Sequence, residues 1–236
     1  MNISLNKIDI AILCGGLGKR LRPVIGESQK VMAEVNDEPF LNILLKNIVR
    51  QGGRRVILLT GYKAELVEEY YRKNDFGLKI ELSREKEPLG TGGALKNAQS
   101  LIKSDPFMMM NGDSFCPMDY AKLLEFYNKK QARAVIAIKK LKESQDFGVI
   151  SINAQNEITS FQEKVQKQEA YTNAGVYGFS QEIFSLMPAQ PKFSIEQNFF
   201  PKLVGKKIFG FKVQKGFIDV GIPERYRQAQ KILRNK

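Results

Sequence analysis

The chain has 236 residues, 43% hydrophobic and 26% charged, which is typical of a globular protein with a sizeable core. Its formal charge of +12 fits either a lysine-rich surface or a site for phosphates. The chain contains no histidine, which excludes a histidine general base, a Ser-His-Asp triad and a histidine-ligated zinc site. Any chemistry must therefore use Asp, Glu, Lys, Arg or a metal ion held by carboxylates.

The first half alternates apolar strand patterns with amphipathic helix patterns. Strands are predicted at 8–14, 54–60, 78–84 and 106–110, and helices from about residue 39 to the glycines at 52–53, at 63–73 and at 92–103. This alternation predicts a Rossmann-like, three-layer α/β/α sandwich with a mostly parallel central sheet. Ligands of such sheets bind outside the carboxyl ends of the strands, where glycine turns follow the first and fourth predicted strands.

The second half is less regular. After a helix at 119–130, strands are predicted at 133–141, 147–151, 158–165, 173–180, 207–213 and 217–219. A capping-box pattern at 194–197 opens a helix to about residue 204, and Pro223 begins a terminal helix. No repeat or linker is visible, so we expect one domain over 1–236, with a regular half at 1–115 and an elaborated half at 116–236.

Two features bear on compartment and partners. Cys14 and Cys116 lie in apolar runs and offer no disulfide framework. The sequence shows neither a signal peptide nor an apolar run near the ~20 residues that a membrane helix needs. Its basic stretches lack the interleaved aromatic residues of a nucleic-acid surface. We therefore expect a cytoplasmic protein that binds neither membranes nor nucleic acids.

The most informative stretch is ILCGGLGKRLR at 12–22, the loop after the first strand. Gly15, Gly16 and Gly18 let the backbone approach a phosphate, and the amides of such a loop can point at its oxygens. Arg20 offers a fork for bidentate contact with β- and γ-phosphates. The P-loop pattern is absent, and a turn that serves only chain reversal is the alternative for a lone glycine loop.

Together with Lys30 in SQKVMAEV, this loop resembles the signature of the sugar-phosphate nucleotidyltransferase family, which reads GGxGTRL and then Pro-Lys. Lys19 and Gln29 stand where the signature has Thr and Pro. The later family motifs follow in order, as EPLGTGGAL at 87–95, MNGDSF at 110–115, FQEKV at 161–165, NAGVY at 173–177 and FIDVG at 217–221. On these six ordered matches the chain is identified as a member of that family.

The resemblance implies an enzyme that joins a sugar 1-phosphate to a nucleoside triphosphate and releases pyrophosphate. It implies a nucleotide-binding half at 1–115, a sugar-phosphate-binding half at 116–236, and Mg²⁺ held by Asp113 and Asp219. Two carboxylates that share one Mg²⁺ with triphosphate oxygens match how proteins usually hold this ion. Taken singly, Asp113 could instead cap a turn and Asp219 could be a strand-end charge.

The resemblance also assigns contacts residue by residue. The implied catalytic residues are Arg20, Lys30 and Lys164. The implied nucleotide contacts are Leu13, Gly15, Gly16, Gly18, Glu87, Pro88, Gly90 and Thr91. The implied sugar-phosphate contacts are Gly112, Glu163, Lys164, Asn173 and Gly175. Glu87 is also a candidate acceptor for the N1 and N2 hydrogens of guanine, with a solvated loop charge as the alternative.

Within the family, EPLGTGGAL, NGDSF and the tail FSIEQ…FIDVGIPERY are similar to D-glycero-α-D-manno-heptose 1-phosphate guanylyltransferases. The expected substrates are therefore GTP and a heptose 1-phosphate, for capsule, lipopolysaccharide or S-layer glycan synthesis. The alternatives are mannose 1-phosphate with GTP, N-acetylmuramate 1-phosphate with UTP, glucose 1-phosphate with dTTP, UTP or CTP, and phosphocholine cytidylyl transfer. An inactive relative that binds nucleotide or a polyanion is the alternative from another class. A homo-oligomer is compatible with the sequence, which does not fix the oligomeric state.

Overall fold

The computed structural model describes residues 3–140, 148–162, 171–214 and 216–233. The strands in this part of the chain are β1 (Asp9–Leu13), β2 (Glu34–Val35), β3 (Glu38–Pro39), β4 (Arg55–Thr60), β5 (Lys79–Arg84), β6 (Phe107–Asn111), β7 (Ser114–Phe115), β8 (Ala134–Lys140), β9 (Val149–Ile152), β10 (Ile158–Gln162), β11 (Tyr171–Phe179), β12 (Ile208–Val213) and β13 (Ile218–Asp219). The α-helices are α1 (Arg22–Ile25), α2 (Phe40–Arg50), α3 (Ala64–Lys73), α4 (Gly90–Asn97), α5 (Tyr120–Lys130), α6 (Ile183–Leu186) and α7 (Pro223–Ile232).

One large mixed sheet forms the centre of the molecule. Its strands run in the order β10-β9-β11-β6-β1-β4-β5, and β8 pairs with β11 and with β12. Strands β6, β1, β4 and β5 are parallel, whereas β11 is antiparallel to β6. Both halves of the chain thus contribute strands to the same sheet. The predicted sandwich is confirmed, and the second half extends it with largely antiparallel pairing.

Helices cover both faces of the sheet, as the strand patterns predict. On β1, Ile10 and Ile12 point into one apolar cluster and Ala11 into the other. The first cluster includes buried residues of α2, α3, α5 and α7, and the second includes those of α4 and α6. This alternation follows from the two-residue period of a strand. Met108, Met109 and Met110 are fully buried in the same way, and both cysteines are buried and free.

Two predicted helices differ from their observed form. The helix predicted at 92–103 begins at Gly90 and ends at Asn97, and a 3-10 turn follows at Gln99–Leu101. The segment opened by Ser194 is a π turn at Ile195–Phe199 and then a 3-10 turn at Phe200–Leu203. Ser194 does cap this segment, since its Oγ accepts the Gln197 N–H. None of the helices in the described ranges is long and apolar enough to cross a membrane.

Candidate active site

The carboxyl ends of β1 and β6 lie side by side. The predicted motifs at 12–22 and 110–115 begin at these two strand ends. The N–H of Gly112 donates to the Leu13 carbonyl oxygen at 3.0 Å. A Cβ on Gly112 would lie 2.4 Å from that oxygen, so only glycine allows the two chains this close. Gly112 is buried by this contact. Its predicted contact with the sugar phosphate stays a prediction, since close packing alone explains the residue.

Two short strands bring the predicted metal ligands together. β7 and β13 are antiparallel, with Asp219 opposite Ser114, and the Val220 N–H donates to the Asp113 carbonyl oxygen at 3.0 Å. Both carboxylates line the same cleft. Asp219 also accepts the Gly221 N–H and pairs with Arg225 at 2.8 Å. The fold therefore gathers two aspartates that lie far apart in the sequence.

Lys30 contacts the first of these aspartates. Its Nζ forms an ion pair with Asp113 Oδ2, and the Ser114 hydroxyl donates to Oδ1 at 3.1 Å. Burial opposes ionisation of Asp113, but the charge and hydrogen bond of Lys30, together with the Ser114 hydroxyl, outweigh it and lower the pKa. Asp113 is therefore a carboxylate at neutral pH.

Gln29 fixes the turn that carries Lys30. It is fully buried, its Nε2 donates to the Cys14 carbonyl oxygen, and its Oε1 accepts the Val31 N–H at 2.6 Å. Cys14 begins the glycine loop, so this one side chain joins the lysine turn to that loop. The residue that replaces the proline of the family signature thus anchors the turn by hydrogen bonds.

A first cleft of about 230 Å³ lies above the glycine loop. Lys30 and Asp113 line it together with six predicted nucleotide contacts: Leu13, Gly15, Gly16, Pro88, Gly90 and Thr91. Gly18 packs against Lys30: a Cβ at Gly18 would lie 3.3 Å from the Cβ of Lys30. Arg20 is exposed and is not among the residues that line the cleft. Its contact with the triphosphate stays a prediction that requires movement of the loop or side chain.

A glutamate near the predicted base-binding loop also lines this cleft, but it is Glu85, directly after β5, and not Glu87. Glu85 lines the cleft, and its side chain lies against Gly15 and Gly61. It accepts the Leu89 N–H at 3.1 Å, and burial raises the pKa of its carboxyl. Glu87 is exposed and is not among the lining residues. Position at the carboxyl end of a parallel strand was the sequence signal that could have favoured Glu85 over Glu87.

A second cleft of about 750 Å³ adjoins the first and shares Asn111 and Asp113 with it. Asn173 and Gly175 line it, and their predicted contacts with the sugar phosphate stay predictions. Asn173 is held by hydrogen bonds, since its Oδ1 accepts the Gly175 N–H at 2.9 Å and its Nδ2 donates to the Tyr177 hydroxyl at 2.7 Å.

Gly175 has φ +74°, and a Cβ there would lie 3.2 Å from the Asn111 side chain. This strand position therefore favours glycine for both conformation and space. Glu163 and Lys164 lie outside the described residues. Gln162, which directly precedes them, lines the second cleft.

A comparison with family models matches residues 10–236 to the nucleotidyl transferase family. The chain belongs to this family. The nucleotidyltransferase is 39% identical over 229 residues to the D-glycero-α-D-manno-heptose 1-phosphate guanylyltransferase of Aneurinibacillus thermoaerophilus, covering 97% of this chain and 99% of the relative. It is 37% identical to the Campylobacter jejuni protein of the same name, covering 91% and 95% of the two chains. The family resemblance predicted from the motifs is confirmed.

Solved structures agree with this assignment. The nucleotidyltransferase matches HddC from Yersinia pseudotuberculosis with a TM-score of 0.86 and 35% identity, over 96% of this chain and 99% of that one. HddC complexed with GMP-PN matches with a TM-score of 0.84 over the same shares of the two chains. These matches confirm the predicted fold class.

The chemistry of the two aspartates fits Mg²⁺. Carboxylate oxygens are the ligands this ion prefers, and it commonly takes one or two of them and completes its shell with substrate phosphates and water. Within the described ranges, no three acidic or cysteine side chains gather at one point. A cation at Asp113 and Asp219 would therefore need further oxygens from a ligand, and both residues face a cleft that can admit one.

Proposed function

We propose that this enzyme joins GTP to D-glycero-α-D-manno-heptose 1-phosphate, giving GDP-heptose and pyrophosphate. The observation that carries the proposal is the pair of adjoining clefts that meet at Asp113, beside a glycine loop and a lysine. Two substrates bound in these clefts would present their phosphates to each other at one carboxylate. The names of the relatives favour GTP and the heptose among the members of the family.

In the proposed reaction, a phosphate oxygen of the sugar 1-phosphate attacks the α-phosphorus of the triphosphate. The bond from that phosphorus to the β-bridging oxygen breaks, and pyrophosphate leaves with the bond's electron pair. The attacking phosphate is already ionised near neutral pH, so no general base is required. Catalysis then consists of positioning and of neutralising charge, which suits a chain without histidine.

Each part of the site has a role in this scheme. Gly15, Gly16 and Lys30 line the first cleft. There the main-chain amides of the two glycines would meet the triphosphate, and Lys30 would neutralise charge on it and on the leaving pyrophosphate. Asp113 and Asp219 would hold Mg²⁺, which supplies positive charge to the phosphates when bound. Lys30 pairs with Asp113 in the ligand-free protein. With a cation held by that carboxylate, the Lys30 ammonium would be available to the phosphates.

Glu85 is the proposed reader of the base. A half-buried carboxylate can accept the N1 and N2 hydrogens of guanine together, whereas uracil and thymine offer one donor on their pairing edge. A base that leaves such a carboxylate unpaired is disfavoured, because the desolvation of the carboxylate is then not compensated. The Leu89 N–H holds Oε2 of Glu85 at 3.1 Å, and Oε1 lies against Gly15 and Gly61.

The sugar specificity is tested by turnover of GTP with heptose, mannose and glucose 1-phosphates, with the products identified by mass. We expect the heptose substrate to give the highest kcat/KM and a product with the mass of GDP-heptose. A higher kcat/KM with mannose 1-phosphate would contradict the heptose assignment and leave a guanylyltransferase of different sugar specificity.

The base reader is tested by Glu85→Gln, with Glu87→Gln as the matched control. We expect Glu85→Gln to reduce the preference for GTP over the other triphosphates by about 10-fold or more, the scale of one lost charged hydrogen bond. Glu87→Gln should leave the preference unchanged, because its side chain is exposed. The opposite pattern would return the role to Glu87.

A further inference from the structure

Glu196 lies in the second cleft, and the mechanism above does not use it. It is half-buried, follows the capping residue Ser194, and lines the cleft with Asn173 and Asp219. Its Oε2 accepts two hydroxyl hydrogen bonds, from Thr91 at 2.7 Å and from Ser194 at 2.8 Å. The carboxylate is therefore held in a defined position in the ligand-free protein.

The segment that carries Glu196 is joined to the loop of the first cleft. The Ile195 N–H donates to the Thr91 hydroxyl oxygen at 2.9 Å, and the Phe193 N–H donates to the Leu89 carbonyl oxygen at 2.9 Å. The Gly92 N–H in turn donates to the Phe193 carbonyl oxygen at 3.1 Å. The wall of the second cleft and the nucleotide loop of the first are thus one hydrogen-bonded unit.

The two oxygens of Glu196 differ in their surroundings. Oε2 has the two hydroxyl donors, and within the described ranges Oε1 has no hydrogen-bond donor. Nearby, the Tyr177 hydroxyl donates weakly toward Asn111 at 3.4 Å. Burial and then the charge of Glu196 raise the pKa of Tyr177 well above its usual value, so its hydroxyl stays neutral where it bonds the lining residues Asn111 and Asn173.

Charge decides which part of a ligand can meet Glu196. An anionic phosphate is repelled by this carboxylate and belongs near Lys30 and the cation proposed at Asp113 and Asp219. The neutral hydroxyls of a sugar are donors that a carboxylate oxygen accepts readily. A sugar 1-phosphate in the second cleft would therefore point its phosphate toward Asp113 and its hydroxyls toward Glu196.

We propose that Glu196 is a specificity-determining residue, whose Oε1 accepts a hydroxyl hydrogen of the sugar while its Oε2 holds Thr91 and Ser194. The proposal rests on the function proposed above, since it assumes that a sugar 1-phosphate occupies this cleft. The same carboxylate then ties sugar binding to the position of the nucleotide loop.

The test is steady-state kinetics of Glu196→Gln with the accepted sugar 1-phosphate and GTP. Glutamine keeps one oxygen to accept from Thr91 and Ser194, but it loses the charge and the second acceptor. We expect KM for the sugar phosphate to rise about 10- to 100-fold, the scale of a lost charged hydrogen bond. KM for GTP should stay within about 3-fold, and thermal unfolding should confirm that the variant folds.

Two further variants separate substrate contact from support of the loop. Glu182→Gln is the matched control, because Glu182 pairs with Arg133 on the surface, and it should leave both KM values unchanged. Thr91→Val removes the hydroxyl that joins the loop to Glu196, and it should raise KM for GTP more than KM for the sugar phosphate. A purely structural Glu196 would instead raise KM for GTP in Glu196→Gln as well.

Two outcomes would overturn the proposal. Normal KM for the sugar phosphate in a folded Glu196→Gln, with the wild type active, would remove Glu196 from the sugar site and leave the proposed function intact. Absence of turnover by the wild type with every sugar 1-phosphate would overturn the proposed function and this inference together.

Discussion

Acidic residues lie near both ends of the parallel strands of the central sheet, and the two ends differ in what satisfies their charge. At the amino end, the Asp9 side chain is 8% exposed and pairs with Arg55 at 2.5 Å. It also accepts the N–H groups of Lys103 at 2.5 Å and Ser104 at 3.0 Å. At the carboxyl end, the side chains of Asp113 and Asp219 are 32% and 21% exposed and face a cleft.

The difference separates stability from chemistry. The amino-end carboxylate is held by groups of the chain itself, so its contribution goes into folding. The carboxyl-end carboxylates are also paired within the chain, with Lys30 and Arg225, but they line a cleft that a ligand can enter. The same residue type therefore serves the fold at one end of the sheet and, in our proposal, the reaction at the other.

The largest expected effect is at the carboxyl end. Asp113→Asn and Asp219→Asn should each lower kcat by at least ~10²-fold, the scale of losing a group that stabilises charge in the transition state. Thermal unfolding of each variant checks that the loss of kcat is not a loss of the fold, since both aspartates also form ion pairs within the chain. Near-normal turnover of either variant at saturating Mg²⁺ would remove that residue from the metal site.

The mirror experiment is Asp9→Asn at the amino end. It should lower the free energy of unfolding by about 1–3 kcal/mol, because the charged hydrogen bonds of the Asp9 carboxylate are lost while Arg55 keeps Glu81 as a partner. The kcat of the folded protein should be unchanged. Urea unfolding and turnover of the same sample measure both quantities. A loss of turnover in the folded variant would contradict the separation of the two ends.

The Asp9 contribution should also depend on pH. Burial raises the pKa of Asp9, but the Arg55 hydrogen bond and the two main-chain N–H groups outweigh burial and lower it below its usual 3.8. A lowered pKa stabilises the fold above the unfolded-state pKa and loses that effect as pH falls through the folded-state pKa. The stability gap between wild type and Asp9→Asn should therefore be full near pH 7 and shrink below about pH 4. A gap that does not change with pH would mean that charge is not its cause.

The smallest expected effect concerns Gln29, which links the lysine turn to the glycine loop. Gln29→Ala leaves the Cys14 carbonyl oxygen and the Val31 N–H without their partner, which costs about 1–3 kcal/mol of stability. We expect kcat to fall several-fold through misplacement of Lys30. Gln29→Pro, which introduces the proline of the family signature, would show whether a rigid turn can replace these hydrogen bonds. A wild-type kcat in Gln29→Ala would contradict the role of Gln29 in positioning Lys30.

The sequence predicted what depends on local pattern and on the order of motifs. Strand and helix periodicity predicted the central sheet. The glycine loop, Asp113 and Asp219 line the two clefts, as expected for motifs at the carboxyl ends of strands. Local sequence patterns did not predict which distant segments would contact each other. The burial of Gln29 and the bond from Thr91 to Glu196 depend on tertiary packing, which no local pattern encodes.

The most direct test of the account is the rate of pyrophosphate release by the wild-type enzyme with heptose 1-phosphate and each of GTP, ATP, CTP, UTP and dTTP at saturating Mg²⁺. We expect GTP to give the highest kcat/KM, and we expect no release when either the sugar phosphate or Mg²⁺ is omitted. A clear preference for a pyrimidine nucleotide would contradict the guanylyltransferase assignment, and full release without Mg²⁺ would contradict the role given to Asp113 and Asp219.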